Sequence, residues 1–318
     1  MNIIWACLLL VGGLIILWKC AGFLVSGAVG LARWLGVSPL VIGLTVVAMG
    51  TSAPEVAASI AAALRNAGDI AIGNVYGSNI ANLALVGGLC AIIRPITVRL
   101  RTLRREMPVM LAVALLLWPV LRNLYLSRPE ALALLGIFAA LILLTVYLAR
   151  KEATAPPRDK RNTQYAIRNA KRNVLFVVIG LAGLALGADL VVRGAIVIGE
   201  RIGLSQAVIG LTIIAVGTSL PELATSLVAV VKGQHDISIG NLVGSNIFNT
   251  LLVVGTAGLV RPFSIGDRLI GLDYCIMIIV SVAFLVMAAI GRRISRANGI
   301  ILFLGYFAYI TFLLSYSR

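Results

Sequence analysis

The chain has 318 residues, of which 60% are hydrophobic and only 12% are charged. Soluble globular domains are about 45–50% apolar and about 25% charged, so this composition excludes the soluble classes. In a soluble protein, the formal net charge of +15 would suggest nucleic acid as a partner. Most Lys and Arg residues here lie between apolar runs, where they set membrane orientation. We therefore expect membrane lipids as partners, and no nucleic acid.

Ten apolar segments approach or exceed the ~20 residues that cross a bilayer core as a helix. They form two groups of five on either side of a basic segment, residues 150–172. We therefore predict an all-α integral membrane protein in which residues 1–149 and 173–318 contribute five helices each. The predicted spans are residues 3–31, 39–64, 71–93, 106–124, 129–149, 173–200, 206–231, 238–260, 269–290 and 297–315.

The distribution of Lys and Arg predicts the orientation of these spans. Of the residues outside the spans, 18 lie on one side, eight of them in residues 150–172, and 7 lie on the other. Because cytoplasmic loops carry the excess of positive charge, we predict a cytoplasmic linker and two termini that face outward. The linker is too short for a calcium-sensing domain, which suits a prokaryotic protein of the plasma membrane, the cell inner membrane.

The chain contains a long internal repeat. The segment GLTVVAMGTSAPE at residues 43–55 returns as GLTIIAVGTSLPE at residues 210–222, and GNVYGSNIAN at 73–82 returns as GNLVGSNIFN at 240–249. Both pairs are offset by 167 positions, and the repeated signatures extend over residues 43–95 and 210–262. Because five spans are an odd number, the second copy must enter the membrane upside down. Such inverted repeats are typical of transporters, with the substrate site near the midplane.

One glutamate in each copy is the clearest functional candidate. Glu55 and Glu222 each lie well inside a predicted span. An ionised carboxylate at that depth is costly, so it must be paired, protonated or in contact with a wet cavity. A structural carboxylate bonded to a neighbouring helix is the alternative interpretation. Two equivalent copies, each in the most polar stretch of its half, favour a functional role.

The residues that precede each glutamate are suited to cation binding. Pro54 and Pro221 remove a backbone N–H and displace the carbonyl one turn earlier, which predicts a kinked helix beside each carboxylate. Carboxylate, carbonyl and hydroxyl oxygens are the ligands of Ca²⁺, although Pro and Gly are also common in membrane helices for packing alone. The neighbouring hydroxyls belong to Thr51, Ser52, Thr218 and Ser219.

The second motif adds amide groups and further hydroxyls to each half. Ser78 and Asn82 are four residues apart and share a helix face, as do Ser245 and Asn249. Interhelical hydrogen bonding is the alternative role for such side chains, and we predict that role for Asn79 and Asn246.

These paired motifs resemble the alpha repeats of the cation/calcium exchanger superfamily, and the sodium/calcium exchanger branch is the most similar. The resemblance covers essentially the whole chain. It implies ten transmembrane helices in two inverted sets of five, with ion sites between helices 2, 3, 7 and 8. Helices 1 and 6 are thought to slide across those sites in that family.

The resemblance also implies a ligand set for the transported ions, with Glu55 and Glu222 at its centre. It further implies ligands from both repeats: Thr51, Ser52, Ser78, Asn82, Thr218, Ser219, Ser245, Asn249 and the carbonyls of Ala48 and Ala215. The sodium/calcium branch often has Asp where this chain has Asn249. Only two carboxylates remain here, which balance one Ca²⁺ or two Na⁺, so the stoichiometry and the coupling ion stay open.

The sequence thus predicts an antiporter that exchanges Ca²⁺ for Na⁺ by alternating access. A proton-coupled Ca²⁺ or Na⁺ antiporter on the same fold is the alternative, and a passive channel or a scaffold is a third class. An enzyme would need a nucleophile with a base in reach, and no His lies inside a predicted span. The four cysteines show no metal-binding spacing, and we expect no cofactor. The oligomeric state stays open, and a monomer is compatible with the sequence.

Overall fold

The computed structural model describes residues 2–152, 163–202 and 215–316. Most of the predicted linker lies outside these residues. The start of the seventh predicted span, with motif residues 210–214, lies outside them as well.

Helices occupy all ten predicted positions. The first half contains α1 (Ile3–Leu35), α2 (Pro39–Thr51), α3 (Ala53–Leu64), α4 (Gly68–Ile93), α5 (Leu100–Arg104), α6 (Glu106–Leu121) and α7 (Arg128–Glu152). The second half contains α8 (Thr163–Arg201), α9 (Ala215–Thr218), α10 (Leu220–Val231), α11 (His235–Val260), α12 (Tyr274–Ala289) and α13 (Arg296–Tyr316). In the described part of the chain, seven helices meet the length and hydropathy expected of a membrane span, or eight if α2 and α3 form one span.

The ends of α1 show why the sequence forms a helix there. The Asn2 side chain accepts a hydrogen bond from the Ile4 amide at the first turn, which satisfies a donor that the helix itself leaves free. The helix ends at Gly36, whose φ of 69° is the left-handed conformation that glycine adopts without steric cost. α1 therefore continues beyond the end of the predicted span.

The helices sort into a buried centre and an outer layer. In α4 and α11, 78% and 72% of the most apolar 18-residue segment of the helix is buried inside the protein. In the other candidate spans, between 11% and 28% of the equivalent segment is buried. The outer helices are predominantly apolar, as lipid-facing helices must be. The central pair carries the polar GSN motifs, which need protein partners rather than lipid.

In the described part of the chain, four two-residue strands connect the two halves. They are β1 (Ile96–Thr97), β2 (Tyr125–Leu126), β3 (Phe263–Ser264) and β4 (Arg293–Ile294). β1 pairs antiparallel with β4, and β2 pairs antiparallel with β3. A shift of 167 residues places β1 on β3 and β2 within one residue of β4. The two pairings therefore exchange when the halves are exchanged, as expected for repeats related by a two-fold axis.

Candidate ion-binding site

Each glutamate lies just after a break in its helix. The axes of α2 and α3 meet at an angle of 44° at Ser52, which is the kink that Pro54 predicts. Ser219 separates α9 from α10 in the same way, and its backbone angles (φ −88°, ψ 4°) match those of Ser52 (φ −83°, ψ 7°). The two breaks therefore lie at equivalent positions of the repeats and have similar backbone angles.

Glu55 and Glu222 both lie in the first turn of the helix that follows the break. That position places each carboxylate at the positive end of a helix dipole. Both side chains are completely buried, and two buried carboxylates in one cluster repel each other when both are ionised. Among the described residues, no basic side chain donates a hydrogen bond or forms an ion pair with either carboxylate. A buried pair of acids without a counter-charge needs protons or cations.

Hydrogen bonds link the two carboxylates to both repeats. The Ser52 hydroxyl donates to Glu222 Oε1 across the repeat interface at 2.9 Å. Ser78 Oγ is 3.5 Å from Glu55 Oε1, and Ser245 Oγ is 3.5 Å from Glu222 Oε1. The equal distances within each half reflect the repeat symmetry. These contacts bring the predicted hydroxyl groups and both acids into a single cluster.

Several buried polar atoms of the two repeated motifs have no hydrogen-bond partner among the described residues. Glu55 Oε2 and Glu222 Oε2 are among these atoms, as is the hydroxyl of Ser219. Both side-chain polar atoms of Asn82 and of Asn249 are among them as well. Buried polar groups are almost always satisfied in folded proteins. Unpaired oxygens from two carboxylates and two amides match the ligands of hard cations.

Asn82 and Asn249 are also positioned by unusual backbone. Asn82 lies in a π-helical turn of α4, Ala81–Val86, and Asn249 begins the equivalent turn of α11, Asn249–Val253. Such turns are rare and occur frequently at functional sites. The extra residue in the turn changes which way the following side chains point along a helix.

The carbonyls predicted as ligands differ between the repeats. The Ala48 carbonyl accepts a hydrogen bond from the Ser52 amide at 3.0 Å and lies 3.3 Å from the Thr51 hydroxyl. In the second repeat, the Ser219 amide donates to Val216 rather than to Ala215. The breaks are therefore equivalent in position but not identical in hydrogen bonding.

The two threonines of the predicted ligand set stand at the ends of the helices that precede the breaks. Thr51 is the last residue of α2, and its hydroxyl lies 3.1 Å from Asn241 Oδ1 of the opposite repeat. Thr218, its equivalent, is the last residue of α9. Thr51 therefore joins the two repeats as Ser52 does.

A second set of residues supports the glutamates and was absent from the predicted ligand set. Asn74 donates to Ser59 Oγ at 2.9 Å and to the Glu55 carbonyl at 3.3 Å. In the second half, Asn241 makes the same contacts with Ser226 and with the Glu222 carbonyl, at 3.0 and 3.4 Å. Each serine follows its glutamate by four residues and repeats at the offset of 167, so the sequence carried a signal that could have identified them.

Asn79 and Asn246 have different roles in the structure. The Asn79 amide donates to the Thr250 hydroxyl of α11 at 3.0 Å, which confirms the predicted interhelical hydrogen bond. The Asn246 amide donates to the Leu242 carbonyl of its own helix. The prediction for Asn246 was therefore wrong, because its amide turns back along α11 instead of reaching α4.

The described residues contain no group of three or more His, Cys, Asp or Glu side chains that could hold a metal ion. The cluster has two carboxylates, with amides and hydroxyls for the remainder. This donor set suits weakly bound hard ions such as Na⁺ and Ca²⁺, not a tightly held transition metal.

Comparison with known proteins identifies the family. A family model described as "Sodium/calcium exchanger protein" matches residues 5–147 and again residues 172–315. The chain belongs to this family. Its members are transporters rather than enzymes, and the two matches correspond to the two repeats. The protein is thus a multi-pass membrane antiporter of the cation/calcium exchanger type.

Three relatives match nearly the whole chain. The putative antiporter CaxA of Alkalimonas amylolytica is 41% identical over 94% of this chain and 95% of its own length. The inner membrane protein YrbG of Escherichia coli K12 is 38% identical, with coverages of 96% and 95%. The sodium/calcium exchanger MaX1 of Methanosarcina acetivorans is 33% identical, with coverages of 96% and 97%.

The fold agrees with a solved structure of the sodium-calcium exchanger NCX_Mj soaked in Na⁺ and Sr²⁺. The two superpose with a TM-score of 0.84 at 32% identity, covering 98% of this chain and 99% of that one. This agreement confirms the predicted fold, with ten transmembrane helices in two inverted sets of five. It does not depend on the identity of the transported ions.

Proposed function

We propose that this exchanger moves Ca²⁺ in one direction across the membrane and Na⁺ in the other, with Glu55 and Glu222 as the central ligands. The observation that carries the proposal is the buried pair of carboxylates, each of which has one oxygen, Oε2, without a hydrogen-bond partner among the described residues. A relative named for sodium/calcium exchange and exchanger structures obtained with Na⁺ and Sr²⁺ support these ions.

The charge of the site couples the two fluxes. Two carboxylates are neutralised by one Ca²⁺ or by two Na⁺, which have the same total charge. A site that carries two uncompensated charges is trapped, because moving buried charge through a low-dielectric barrier is costly. Only the loaded site crosses between outward-open and inward-open states, so each ion must be exchanged for the other. Oxygens of Ser52, Ser78, Asn82, Ser219, Ser245 and Asn249, together with Thr51, Thr218 and the carbonyls of Ala48 and Ala215, complete the ligand set.

The protein functions in the cell inner membrane in this proposal, with both termini outside and the 150–172 segment in the cytoplasm. The excess of Lys and Arg on that side supports this orientation. The name of the Escherichia coli relative supports the same membrane.

Counter-ion dependence of Ca²⁺ flux tests the proposal. Purified protein is reconstituted in liposomes, and Ca²⁺ uptake is measured against an outward Na⁺ gradient, an outward proton gradient or no gradient. We expect the Na⁺ gradient to drive uptake and the proton gradient alone to drive none. Uptake driven only by protons would replace Na⁺ coupling with the proton-coupled alternative, and uptake without any counter-ion would indicate a channel.

A further inference from the structure

α1 and α8 form a closely packed pair of outer helices. A Cβ atom built on Gly13 would lie 2.8 Å from the Gly187 carbonyl, and one built on Gly187 would lie 3.0 Å from the Gly13 carbonyl. Only glycine permits such a close approach. Phe23 and Phe176 extend the contact, with ring centroids 5.3 Å apart. The two helices contact each other far more extensively than either contacts any other helix, so they form one structural unit.

The contacts of this pair with the rest of the protein break the symmetry of the repeats. The repeat offset of 167 extends into the pair, where Gly27-Ala28 of α1 corresponds to Gly194-Ala195 of α8. α1 packs along α10 of the opposite half, but the equivalent pair, α8 and α3, does not pack to a comparable extent. In a transporter built from inverted repeats, exchanging the two halves' conformations produces the opposite access state. In that state α8 should therefore pack along α3.

A lysine fixes α1 in the arrangement seen here. Lys232 follows the last turn of α10, and its ammonium donates to the Gly22 carbonyl of α1 at 2.8 Å and to the Ser26 hydroxyl at 3.0 Å. The Ser26 hydroxyl also donates to the Gly22 carbonyl at 2.8 Å. The Lys232 ammonium thus adds polar contacts to the packing of α1 along α10.

The first half has an equivalent basic residue that is not engaged. Arg65 follows the last turn of α3 as Lys232 follows α10, and each is followed by a residue with positive φ, Asn66 (58°) and Gly233 (72°). Arg65 is exposed and, within the described parts of the chain, its side chain makes neither a hydrogen bond nor an ion pair. The two turns have similar backbone conformations, but of the two basic side chains only that of Lys232 forms hydrogen bonds with an outer helix among the described residues.

The residues of α8 equivalent to Gly22 and Ser26 are Asp189 and Arg193. They form an ion pair at 2.7 Å within α8, and the Asp189 side chain is 50% exposed. Charged residues inside a span normally face a cavity or the interior of the protein. The exposed Asp189 carboxylate is therefore available to bind a second cation. Arg65 is that cation by repeat symmetry, because Arg65 corresponds to Lys232 and Asp189 corresponds to Gly22.

We propose that Lys232 and Arg65 are positioning residues that hold the α1–α8 pair in alternation. Lys232 binds α1 in the state seen here, and in the opposite access state Lys232 releases α1 while Arg65 binds Asp189 of α8. Exposed ion pairs and hydrogen bonds are individually weak, so each contact can break once in every cycle. The proposal rests on alternating access by this antiporter, but not on which ions it carries.

Crosslinking of paired cysteines tests the alternation. In a background with the four native cysteines replaced by alanine, one variant carries Lys232→Cys with Ser26→Cys, and another carries Arg65→Cys with Arg193→Cys. A bifunctional thiol reagent, with a spacer as long as a lysine side chain, is applied to protein in liposomes. We expect both pairs to crosslink although only the first is close in this structure. Each crosslink should stop transport, and cleavage of the spacer should restore it.

A matched control separates movement from nonspecific crosslinking. Thr97→Cys with Arg293→Cys joins β1 to β4, which are paired and lie outside α1 and α8. This pair should crosslink while transport continues. If the Arg65–Arg193 pair never crosslinks in protein whose transport is intact before the reagent, the proposal is overturned. The crosslink is detected without reference to any ion, so an error in the assigned ions would leave its result unchanged.

Single substitutions of Lys232 and Arg65 provide a second measurement, the apparent ion affinity on each side of the membrane. This affinity would not become asymmetric if the two residues only stabilised the fold. Lys232→Met should change the apparent ion affinity in opposite directions on the two sides of the membrane, by about fivefold as expected for coupled equilibria. Arg65→Met should produce the opposite asymmetry, and Lys232→Arg should restore the original values. Equal changes on both sides in either Met variant would contradict the alternation.

Discussion

At the residue scale, the central feature is the pair of buried acids without a basic partner. Glu55→Gln and Glu222→Gln keep the side-chain shape and remove one charge each. A unit charge ~4 Å from a monovalent ion, at an effective dielectric constant of ~20, contributes about 4 kcal/mol, and about twice that for a divalent ion. We therefore expect each variant to fold and to lose at least about a thousandfold in Ca²⁺ affinity, which abolishes flux in liposomes.

The matched control for this experiment is Asp189→Asn, which also removes an acid from a membrane helix but lies outside the ion cluster. Its thermal stability and its equilibrium Ca²⁺ binding should stay close to those of the unchanged protein, even though its transport can change. Ca²⁺ binding that survives in both glutamine variants would show that the ligands lie elsewhere.

The two asparagines at the site set the net charge that must be balanced. With Asn82 and Asn249 neutral, two carboxylates are balanced by one Ca²⁺ or by two Na⁺, so the proposed exchange of one for two would move no net charge. Asn249→Asp adds a third carboxylate, which accommodates a third Na⁺. We expect Ca²⁺ flux in the unchanged protein to be independent of membrane voltage, and flux in the Asp variant to depend on it. Potassium gradients with a potassium ionophore set the voltage in liposomes.

The equivalent substitution in the other repeat, Asn82→Asp, is an internal control. Because both amides have unpaired buried atoms at equivalent positions, both Asp variants should become voltage-dependent. Voltage-dependent flux in the unchanged protein would rule out the two-for-one exchange.

Sequence and structure agree best where the repeat itself carries the information. The offset of 167 pairs Glu55 with Glu222 and Asn82 with Asn249, and the structure buries all four. The direct bond from Ser52 to Glu222 could not be predicted, because it crosses between repeats. A repeat specifies what each half contains, but contacts between the halves depend on how the halves pack.

At the element scale, the break between α2 and α3 places Glu55 at a helix N-terminus. Pro54 causes the break because it cannot donate to the carbonyl of Gly50, four residues earlier. Pro54→Ala restores that donor and should straighten the helix. We expect the variant to keep Glu55 but lose most Ca²⁺ flux, since the carboxylate moves away from Glu222. Flux and thermal stability are measured on the same preparation.

Pro119 provides the control for that substitution. It lies inside α6, on an exposed surface outside the ion cluster. Pro119→Ala should leave flux unchanged and should stabilise the helix if it does anything. A Pro54→Ala variant with flux equal to that of Pro119→Ala would show that the bend is not needed for transport.

The lengths of several elements could not be predicted from hydropathy. α6 has only 16 residues, and α8 begins at Thr163, well before the predicted span. Apolar composition marks the part of a helix that contacts lipid, whereas a polar helix continues into water without any signal in hydropathy. The π-helical turns at Asn82 and Asn249 were likewise invisible, because a single inserted residue barely changes the apolar period of a helix.

At the scale of the whole molecule, inversion of the repeats connects fold to function. The strand pairs β1–β4 and β2–β3 each join one half to the other. Because the repeat offset converts one pair into the other, the fold has the same architecture on both sides of the membrane. Asymmetry therefore has to come from conformation. That asymmetry is visible in the packing of the outer helices: α1 packs extensively along α10, whereas α8 does not pack in the equivalent way along α3. An antiporter needs two such states, which have the same architecture and opposite access.

We predict the orientation of the whole molecule from its charge rather than from its packing. An inverted repeat fits the membrane equally well either way up, so the 18 Lys and Arg residues on one side against 7 on the other must decide. In intact cells, a membrane-impermeant thiol reagent should label Asn2→Cys and leave Lys160→Cys unlabelled until the membrane is permeabilised, in a background without native cysteines. Labelling of the linker in intact cells would place that segment outside and reverse the predicted orientation.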